Sequence, residues 1–119
     1  FRVIINADGT YGVPENLGPE VNTEGRETFP FISKDNELYF ASDGRPGLGG
    51  LDIFVARIGT DNSFYSLQNV GEPINSKQDD FAFLINSKNR NGFFTSNREG
   101  GQGYDDIYRF VENKKLTCE

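Results

Sequence analysis

Two long stretches of this sequence are near copies of one another. ASDGRPGLGGLDIF at 41–54 matches TSNREGGQGYDDIY at 95–108, and NLGPEVNTEGRETFPFIS at 16–33 matches NVGEPINSKQDDFAFLIN at 69–86. The offset between the copies is 53 residues, and it becomes 54 after one extra residue near Asn91. Agreement in one register over roughly forty residues indicates a duplicated structural unit.

Each copy contains short runs of β-branched and aromatic residues separated by turn signals. No window has the spacing of apolar residues expected of a helix. The opening segment, FRVIINADGTYGVPENLG, predicts a hairpin that turns at Asp8 and Gly9. The predicted strands are TFPFIS, ELYFAS, DIFVARI and FYSLQNV in the first copy, and DFAFLIN, NGFFTS and DIYRFVE in the second.

These patterns predict an all-β fold of four-stranded antiparallel units. One such unit has two faces that it cannot bury by itself, so it needs neighbours. We expect a partial β-propeller of about two and a half four-stranded antiparallel blades within one domain, since propellers have about four to eight blades. Residues 1–15 are assigned to the last strands of a preceding blade, 16–69 to a full blade, and 70–119 to the following blade and an exit strand. Either the chain belongs to a longer propeller, or its edges pack against other chains.

Composition limits the possible partners and chemistries. Twelve Lys and Arg residues against eighteen Asp and Glu residues give a net charge of −6. An acidic protein repels the phosphates of nucleic acids and anionic lipids, so we expect no nucleic-acid partner. No apolar run has the length of a membrane helix, so we expect no direct membrane insertion. With no His and a single Cys, Cys118, this chain cannot form a zinc site, a His-based triad or an internal disulfide by itself.

Strand direction predicts where the distinctive segments lie. In a four-stranded unit, the loop between the second and third strands emerges on the same side as the connection to the next unit. We call residues 42–52 and 96–106 the first and second glycine loops, and residues 16–27 and 69–80 the first and second connections. All four segments are predicted to share one side of the protein, which we call the loop face.

Four polar residues of the glycine loops are candidates for structural or metal-binding roles. Asp43 and Asn97 can form Asx turns with their own backbone, and Asp52 and Asp106 can accept amide hydrogen bonds, so that all four pin the loops. The alternative is a calcium site built from the same four residues, because hard cations bind carboxylate and carbonyl oxygens. Their spacing does not fit an EF-hand. We therefore expect no cofactor and keep calcium as the alternative.

Four basic residues lie on the predicted loop face: Arg26, Arg45, Lys77 and Arg98. Each one either pairs with a loop carboxylate or projects towards a protein partner, since Arg is enriched at binding hot spots. These four residues are therefore the candidates for partner binding.

Two adjacent carboxylate pairs are the features closest to an acid–base site, namely Asp79 with Asp80 and Asp105 with Asp106. Neighbouring residues on a strand point to opposite faces, so neither pair converges on one substrate. Neither glycine loop is followed by the helix or the Lys of a phosphate-binding loop. We therefore expect no catalytic residues. We expect the strand aromatics to fill the space between blades, and these are Phe29, Phe31, Tyr39, Phe54, Phe81, Phe83, Phe93 and Tyr108.

The repeated segments resemble the PD40, or WD40-like, repeats of TolB-type β-propellers. The resemblance is carried by NLGPEVNTEGRETFPFIS, LYFASDGRPGLGGLDIF, GEPINSKQDDFAFL and FFTSNREGGQGYDDIYRF, and it covers residues 16–110. They look most like the version in Bacteroidetes outer-membrane proteins that carry a downstream OmpA-like domain. The usual PDG turn is replaced by KDN at 34–36 and by SKNRNG at 87–92. The tail ENKKLTCE at 112–119 resembles the exit from such a propeller into a carboxypeptidase-regulatory-like β-domain.

This resemblance implies a non-catalytic periplasmic propeller held near the outer membrane. Proteins of that architecture include a component of the type IX secretion and gliding machinery. The implied partners are other envelope proteins, together with the remaining blades of the same propeller or neighbouring chains. Peptidoglycan would be bound only through a downstream domain that lies outside this sequence. A calcium- or glycan-binding propeller module is the alternative function.

Overall fold

Seven strands form two antiparallel sheets in the computed structural model, which describes residues 1–113. The strands are β1 (Glu27–Ile32), β2 (Glu37–Ser42), β3 (Asp52–Ile58), β4 (Phe64–Asn69), β5 (Asp80–Ile85), β6 (Asn91–Ser96) and β7 (Asp106–Val111). The first sheet has the order β1-β2-β3-β4, and the second has the order β5-β6-β7. The predicted all-β fold is confirmed, and each predicted strand lies where the sequence pattern placed it.

The second sheet has three strands, which are the three that the sequence pattern placed in the second copy, and neither sheet closes on itself. Within residues 1–113, no helix is long and apolar enough to cross a membrane. Residues 114–119, which include Cys118 and most of the tail that resembles a domain exit, lie outside the described part of the chain.

The duplication in the sequence is also a duplication of strand register. β2 and β3 pair over six consecutive positions, as do β6 and β7, and the two ladders coincide at an offset of 54 residues. The first strand of each sheet is interrupted at the same place by a β-bulge. Phe29 and Ala82 lie in these bulges, with φ angles of 52° and 56°. Because a bulge increases local twist, both first strands bend in the same way.

The segment before β1 is a hairpin that repeats the geometry of β3 and β4. Its two bridges are Arg2↔Glu15 and Ile5↔Tyr11, and adding 53 to these numbers gives two pairs of the β3–β4 ladder. The turns also match. The Asp8 carboxylate accepts a hydrogen bond from the amide two residues further along the chain, and the aspartate of the β3–β4 turn does the same. Residues 1–15 are therefore built like the third and fourth strands of a unit.

The two sheets stack front to back. We call the side of the first sheet that carries Phe40 and Phe54 its front, and the side that carries Tyr39 and Ile53 its back. The equivalent positions, at an offset of 54, define the front and back of the second sheet. The back of the first sheet packs on the front of the second, where the ring of Tyr39 stacks on that of Phe83 with centroids 4.4 Å apart. The buried residues of this interface are Tyr39, Ile53, Val55, Phe83, Ile85 and Phe94.

The outer faces of the stack differ in their covering. The front of the first sheet is covered by Leu17 and Val21 of the first connection, which pack on Phe40 and Phe54. The back of the second sheet is open, and there Phe93 is 44% exposed. The prediction that strand aromatics lie between the sheets therefore holds for Tyr39, Phe83, Phe31 and Tyr108 but not for Phe54 or Phe93.

A charged contact links the two units on the side opposite the loop face. Arg90, in the β5–β6 turn, pairs with Asp35 in the β1–β2 turn at 2.9 Å and with Glu112 after β7 at 2.7 Å. Burial opposes ionisation of the guanidinium, but the hydrogen bonds and charges of its acidic partners outweigh it and raise the pKa of Arg90. The β1–β2 and β5–β6 turns are thus joined by an ion pair.

Replacing the ring at the centre of the stack tests this packing. Phe83→Ala should lower the free energy of unfolding by about 3–5 kcal/mol, because Phe83 is only 5% exposed and truncation leaves a cavity. Phe93→Ala is the matched control on the open back of the second sheet, and we expect it to cost less than about 1 kcal/mol. Urea unfolding of both variants gives the comparison, and equal losses would contradict the front-to-back packing.

Candidate functional site

Each glycine loop lies against the connection that leads into its own unit. The Asp43 amide donates to the Arg26 carbonyl, and the Asn97 amide donates to the Asp79 carbonyl, both at 3.2 Å. The two hydrogen bonds are equivalent, with one in each unit. The four segments of the predicted loop face are therefore brought together in pairs.

Arg98 ties the second glycine loop to the second connection. Its guanidinium donates to the carbonyl oxygen of Pro73 at 2.8 Å and to that of Ile74. It also pairs with the Asp80 carboxylate at 2.9 Å and donates to Ser96 Oγ at 2.9 Å. A planar guanidinium can serve all these acceptors at once because its five N–H groups form a rigid fork.

Arg45 makes the same arrangement in the first unit. It donates to the carbonyl oxygens of Glu20 at 2.6 Å and Val21 at 2.8 Å, and it pairs with Glu27 at 3.7 Å. We call Arg45 and Arg98, with these carbonyls and carboxylates, the arginine clasps. Each guanidinium also lies over two rings of a sheet front: Phe40 and Phe54 at 5.4 and 5.7 Å for Arg45, and Phe94 and Tyr108 at 5.1 and 5.3 Å for Arg98.

The carboxylate of each clasp is held by a hydroxyl residue of its connection. Glu27 accepts hydrogen bonds from the Thr23 amide at 2.9 Å and the Thr23 hydroxyl at 2.6 Å, and Asp80 accepts the equivalent bonds from Ser76 at 2.6 and 3.0 Å. Burial opposes ionisation of Glu27. The two hydrogen bonds from Thr23, a further hydrogen bond from Ser42 and the positive charge of Arg45 outweigh this effect, so the pKa of Glu27 lies below its usual value.

Asp43 and Asn97 pin the connections rather than their own loops. The Asp43 carboxylate accepts the Arg26 amide at 2.6 Å, and the Asn97 side-chain carbonyl accepts the Asp79 amide at 2.9 Å. The local turns expected at these residues are made one position earlier. There, the hydroxyl oxygens of Ser42 and Ser96 accept the amides of Gly44 and Arg98, both at 3.2 Å.

Asp52 and Asp106 fold back onto the glycine loops that precede them. Asp52 Oδ2 accepts the Leu48 amide at 2.6 Å and the Gly49 amide at 3.4 Å, and Asp106 Oδ2 accepts the Gly103 amide at 3.2 Å. Asp52 is 1% exposed, and its Oδ1 has no hydrogen-bond partner among residues 1–113. Burial therefore raises the pKa of Asp52.

Two glycines make room for these carboxylates. A Cβ atom at Gly47 would lie 1.8 Å from Asp52 Oδ2, and one at Gly101 would lie 1.8 Å from Asp106 Oδ2. Any side chain at these positions would push the carboxylate away from the loop amides. The glycines of the two loops are thus explained in part by the close approach of an aspartate.

Asn75 joins the two units through a contact that the sequence analysis missed. Its side chain is 1% exposed, accepts the Ile53 amide at 2.8 Å and donates to the Ile53 carbonyl at 2.9 Å, as a paired strand would. It also donates to Asn69 Oδ1 at 2.8 Å. The sequence does contain a signal that could have predicted a shared structural role for this residue, because Asn16 and Asn22 recur as Asn69 and Asn75 in the aligned copies.

The adjacent carboxylates on the second connection diverge. Asp79 Oδ1 accepts the Leu51 amide of the first glycine loop at 2.8 Å, whereas Asp80 faces Ser76 and Arg98. Across residues 1–113, no group of three or more Asp, Glu or Cys side chains is placed to hold a metal ion. Of the four calcium candidates, Asp52 and Asp106 accept amides of the glycine loops, and Asp43 and Asn97 accept amides of the connections.

The basic candidates fall into two groups. The side chains of Arg45 and Arg98 are only 12% and 23% exposed and are held in the clasps. The Arg26 side chain is 71% exposed, with a 3.0 Å ion pair to Asp43, and Lys77 is exposed. Tyr104, at the end of the second glycine loop, is 95% exposed. The outward-facing groups of the loop face therefore include Arg26, Lys77 and Tyr104.

Comparisons with protein-family models, curated proteins and solved structures found no match to this chain. The fold and the loop face define its class, an all-β protein of repeated antiparallel units that are stacked front to back and joined by buried polar contacts.

The arginine clasp can be tested by removing one charge. Arg98→Gln should lower the free energy of unfolding by about 2–4 kcal/mol, because it leaves the Asp80 carboxylate buried without its cation. Arg26→Gln is the matched control, since its pair with Asp43 is exposed, and it should cost less than about 1 kcal/mol. Small and equal losses in chemical denaturation would show that the clasp does not stabilise the fold.

The aspartate pins can be tested by three substitutions. Asp52→Ala should cost about 1–3 kcal/mol, because two loop amides lose their acceptor. Asp52→Asn should cost less, since the amide oxygen can still accept, and Asp106→Ala should also cost less because that carboxylate accepts one loop amide and is more exposed. Thermal unfolding of the three variants gives the order of their stability losses, and a near-zero effect of Asp52→Ala would contradict the pinning role.

Proposed function

We propose that this chain is part of a β-propeller that acts as a non-catalytic interaction scaffold in a periplasmic or outer-membrane complex. The whole protein would be a cell-wall-anchored member of the OmpA family, similar to the type IX secretion component of that architecture. Its loop face would bind other envelope proteins. Peptidoglycan would be held only by a downstream domain.

The way in which one unit docks on the next supports the propeller. The hairpin at 1–15, the first sheet and the second sheet reuse one set of strand registers, and the back of one sheet packs on the front of the next. A unit that always docks in this way generates a radial or linear stack, and a propeller is the radial case.

The internal use of the loop-face charges supports a scaffold, and this is the observation that carries the proposal. The arginine clasps and the side chains of Asp43, Asp52, Asn97 and Asp106 hold the glycine loops and the connections by hydrogen bonds within the chain. Loops held in this way present a pre-ordered surface, which lowers the entropy lost on binding. The exposed Arg26 and Tyr104 are residue types enriched at binding hot spots.

The periplasmic location and the envelope partners rest on the sequence resemblance. The alternative is a calcium- or glycan-binding propeller module, and one observation favours it. In the described part of the chain, Asp52 Oδ1 is buried without a hydrogen-bond partner, and an unpaired carboxylate oxygen is a ligand that calcium accepts.

A double substitution on the loop face tests the scaffold. Arg26→Glu combined with Tyr104→Ala should weaken capture of outer-membrane proteins by the immobilised chain by about tenfold or more, the loss that corresponds to about 1.4 kcal/mol. Lys88→Glu is the control, because Lys88 is exposed in the β5–β6 turn, on the side opposite the loop face. Capture should be quantified by mass spectrometry, and retention of every partner by the double variant would overturn the proposal.

Calorimetry distinguishes the protein scaffold from the calcium- or glycan-binding module. Titration with calcium or with peptidoglycan fragments should give no heat and no shift in melting temperature if the chain is a protein scaffold. A saturable heat that disappears in Asp52→Asn would favour the calcium-binding module instead.

A further inference from the structure

A cleft opens on the loop face where the first unit meets the second. Its walls are the first glycine loop and the start of the second connection, and its volume is about 580 Å³. The residues that line it are Pro46, Gly47, Leu48, Asn69, Gly71 and Glu72. Because both walls belong to the junction between the two described units, the cleft lies within the chain and not at one of its ends.

Hydrogen bonds hold both walls of the cleft in place. On the first glycine loop, the Leu48 amide donates to Asp52 Oδ2 at 2.6 Å. On the second connection, the Gly71 amide donates to Asn69 Oδ1 at 2.7 Å, and the same oxygen accepts a hydrogen bond from Asn75 at 2.8 Å. A cleft with fixed walls binds its ligand at a lower cost in entropy.

Three of the cleft residues have counterparts of a different type in the other copy. The second glycine loop has Gly100 and Gln102 at the places of Pro46 and Leu48, and the first connection has Pro19 at the place of Glu72. Because each unit forms with its own set of residues, the repeated fold does not require these particular side chains. They are therefore candidates for a role other than folding.

The cleft combines an apolar wall with an unpaired carboxylate. Pro46 is exposed and Leu48 is 42% exposed, so both offer apolar surface to a ligand. Glu72 is exposed and makes no ion pair within residues 1–113. Arg98, which reaches the carbonyl of the next residue, is paired with Asp80 instead. This combination suits a ligand with a hydrocarbon stem and a cationic end.

A second carboxylate lies directly behind the cleft. A Cβ atom at Gly47, which lines the cleft, would lie 1.8 Å from Asp52 Oδ2, so no side chain separates this carboxylate from the cleft wall. Burial, together with the charges of Asp80 and Asp79, raises the pKa of Asp52. Neither Asp52 nor Asp79 forms an ion pair in the described part of the chain. A positive group in the cleft would therefore be attracted to this junction.

We propose that this cleft binds an arginine side chain of a protein partner. The guanidinium pairs with the Glu72 carboxylate, and the methylene groups pack on Pro46 and Leu48. Arginine suits the cleft better than lysine, because its guanidinium is more weakly hydrated and can bond both oxygens of a carboxylate. The inference rests on the proposed scaffold function and adds to it the chemistry of one contact point.

Other classes of ligand fit the cleft less well. An anion would be repelled by Glu72 and by the carboxylates behind the wall. A divalent metal ion needs several oxygen ligands, and no group of three or more Asp, Glu or Cys side chains in residues 1–113 is placed to hold one. A wholly apolar ligand would remove water from Glu72 without replacing its hydrogen bonds.

An NMR titration tests the proposal. The isotopically labelled chain is titrated with the peptide acetyl-Gly-Arg-Gly-amide, and the amide signals of Gly47, Leu48, Gly71 and Glu72 should shift and saturate. The equivalent peptide with lysine should bind more weakly, and the equivalent peptide with glutamate should leave these signals unchanged. Salt at about 0.5 M should weaken binding, because it screens the ion pair.

Two substitutions locate the site. Glu72→Gln removes the carboxylate and should raise the Kd of the arginine peptide about fivefold, the size expected for an exposed ion pair. Leu48→Gln introduces the residue type that the second glycine loop has at this place, and it should raise the Kd about threefold because apolar contact is lost. Glu24→Gln is the matched control, since Glu24 is an exposed carboxylate of the first connection, and it should bind like the wild type.

Three results would overturn the proposal. These are the absence of saturable shifts at the cleft, equal binding by the Glu72→Gln and Glu24→Gln variants, and equal binding of the arginine and lysine peptides. All three would leave the scaffold function untouched, because that function is tested by capture with substitutions at Arg26 and Tyr104. Conversely, a chain that binds the arginine peptide in the cleft but captures no envelope protein would contradict the scaffold function alone.

Discussion

A small antiparallel sheet that is apolar on both faces cannot fold alone, and this constraint governs the whole structure. All six residues of β2 are buried, which requires covering layers in front of and behind the first sheet. The first connection covers the front, and the second sheet covers the back. The duplicated sequence provides the second layer, because a copy of the same unit has a front that fits the back of the first.

Apolar stacking alone does not determine how two such sheets are aligned, and the buried polar contacts supply that information. A ring such as Phe83 can slide on its neighbour at little cost, whereas the Asn75 side chain fits only at the amide and carbonyl of Ile53. The arginine clasps act in the same way between each glycine loop and its connection. Removing one partner is costly because a buried charge or dipole is left unpaired. These contacts therefore define one arrangement among several apolar alternatives.

The strands could be predicted from the sequence because their signals are local. Runs such as ELYFAS and DIFVARI are rich in β-branched or aromatic residues and lie between turn signals, and the second copy repeats this pattern in register. The roles of the loop residues were harder to predict, because they depend on partners distant in the chain. Asp43 reaches Arg26, and Arg98 reaches Pro73 and Ile74.

Two features of the loop face could not have been foreseen from residue type. Arg45 and Arg98 were predicted either to pair with a carboxylate or to bind a partner, and each does pair with a carboxylate of its connection. Their other acceptors include backbone carbonyls, which leave no mark in a sequence. Tyr104 was not among the candidates, and its exposure follows from the conformation of the second glycine loop. Position on the loop face was predictable, whereas the direction of each side chain was not.

Amide hydrogen exchange at two equivalent residues tests the stacked arrangement most directly. Ile53 and Ile107 occupy the same place in their sheets, but among residues 1–113 only the Ile53 amide is bonded to a side chain of the next unit. The Ile53 amide should exchange only on global unfolding, and the Ile107 amide should exchange through local fluctuation. Equal protection of the two amides would contradict the front-to-back stack.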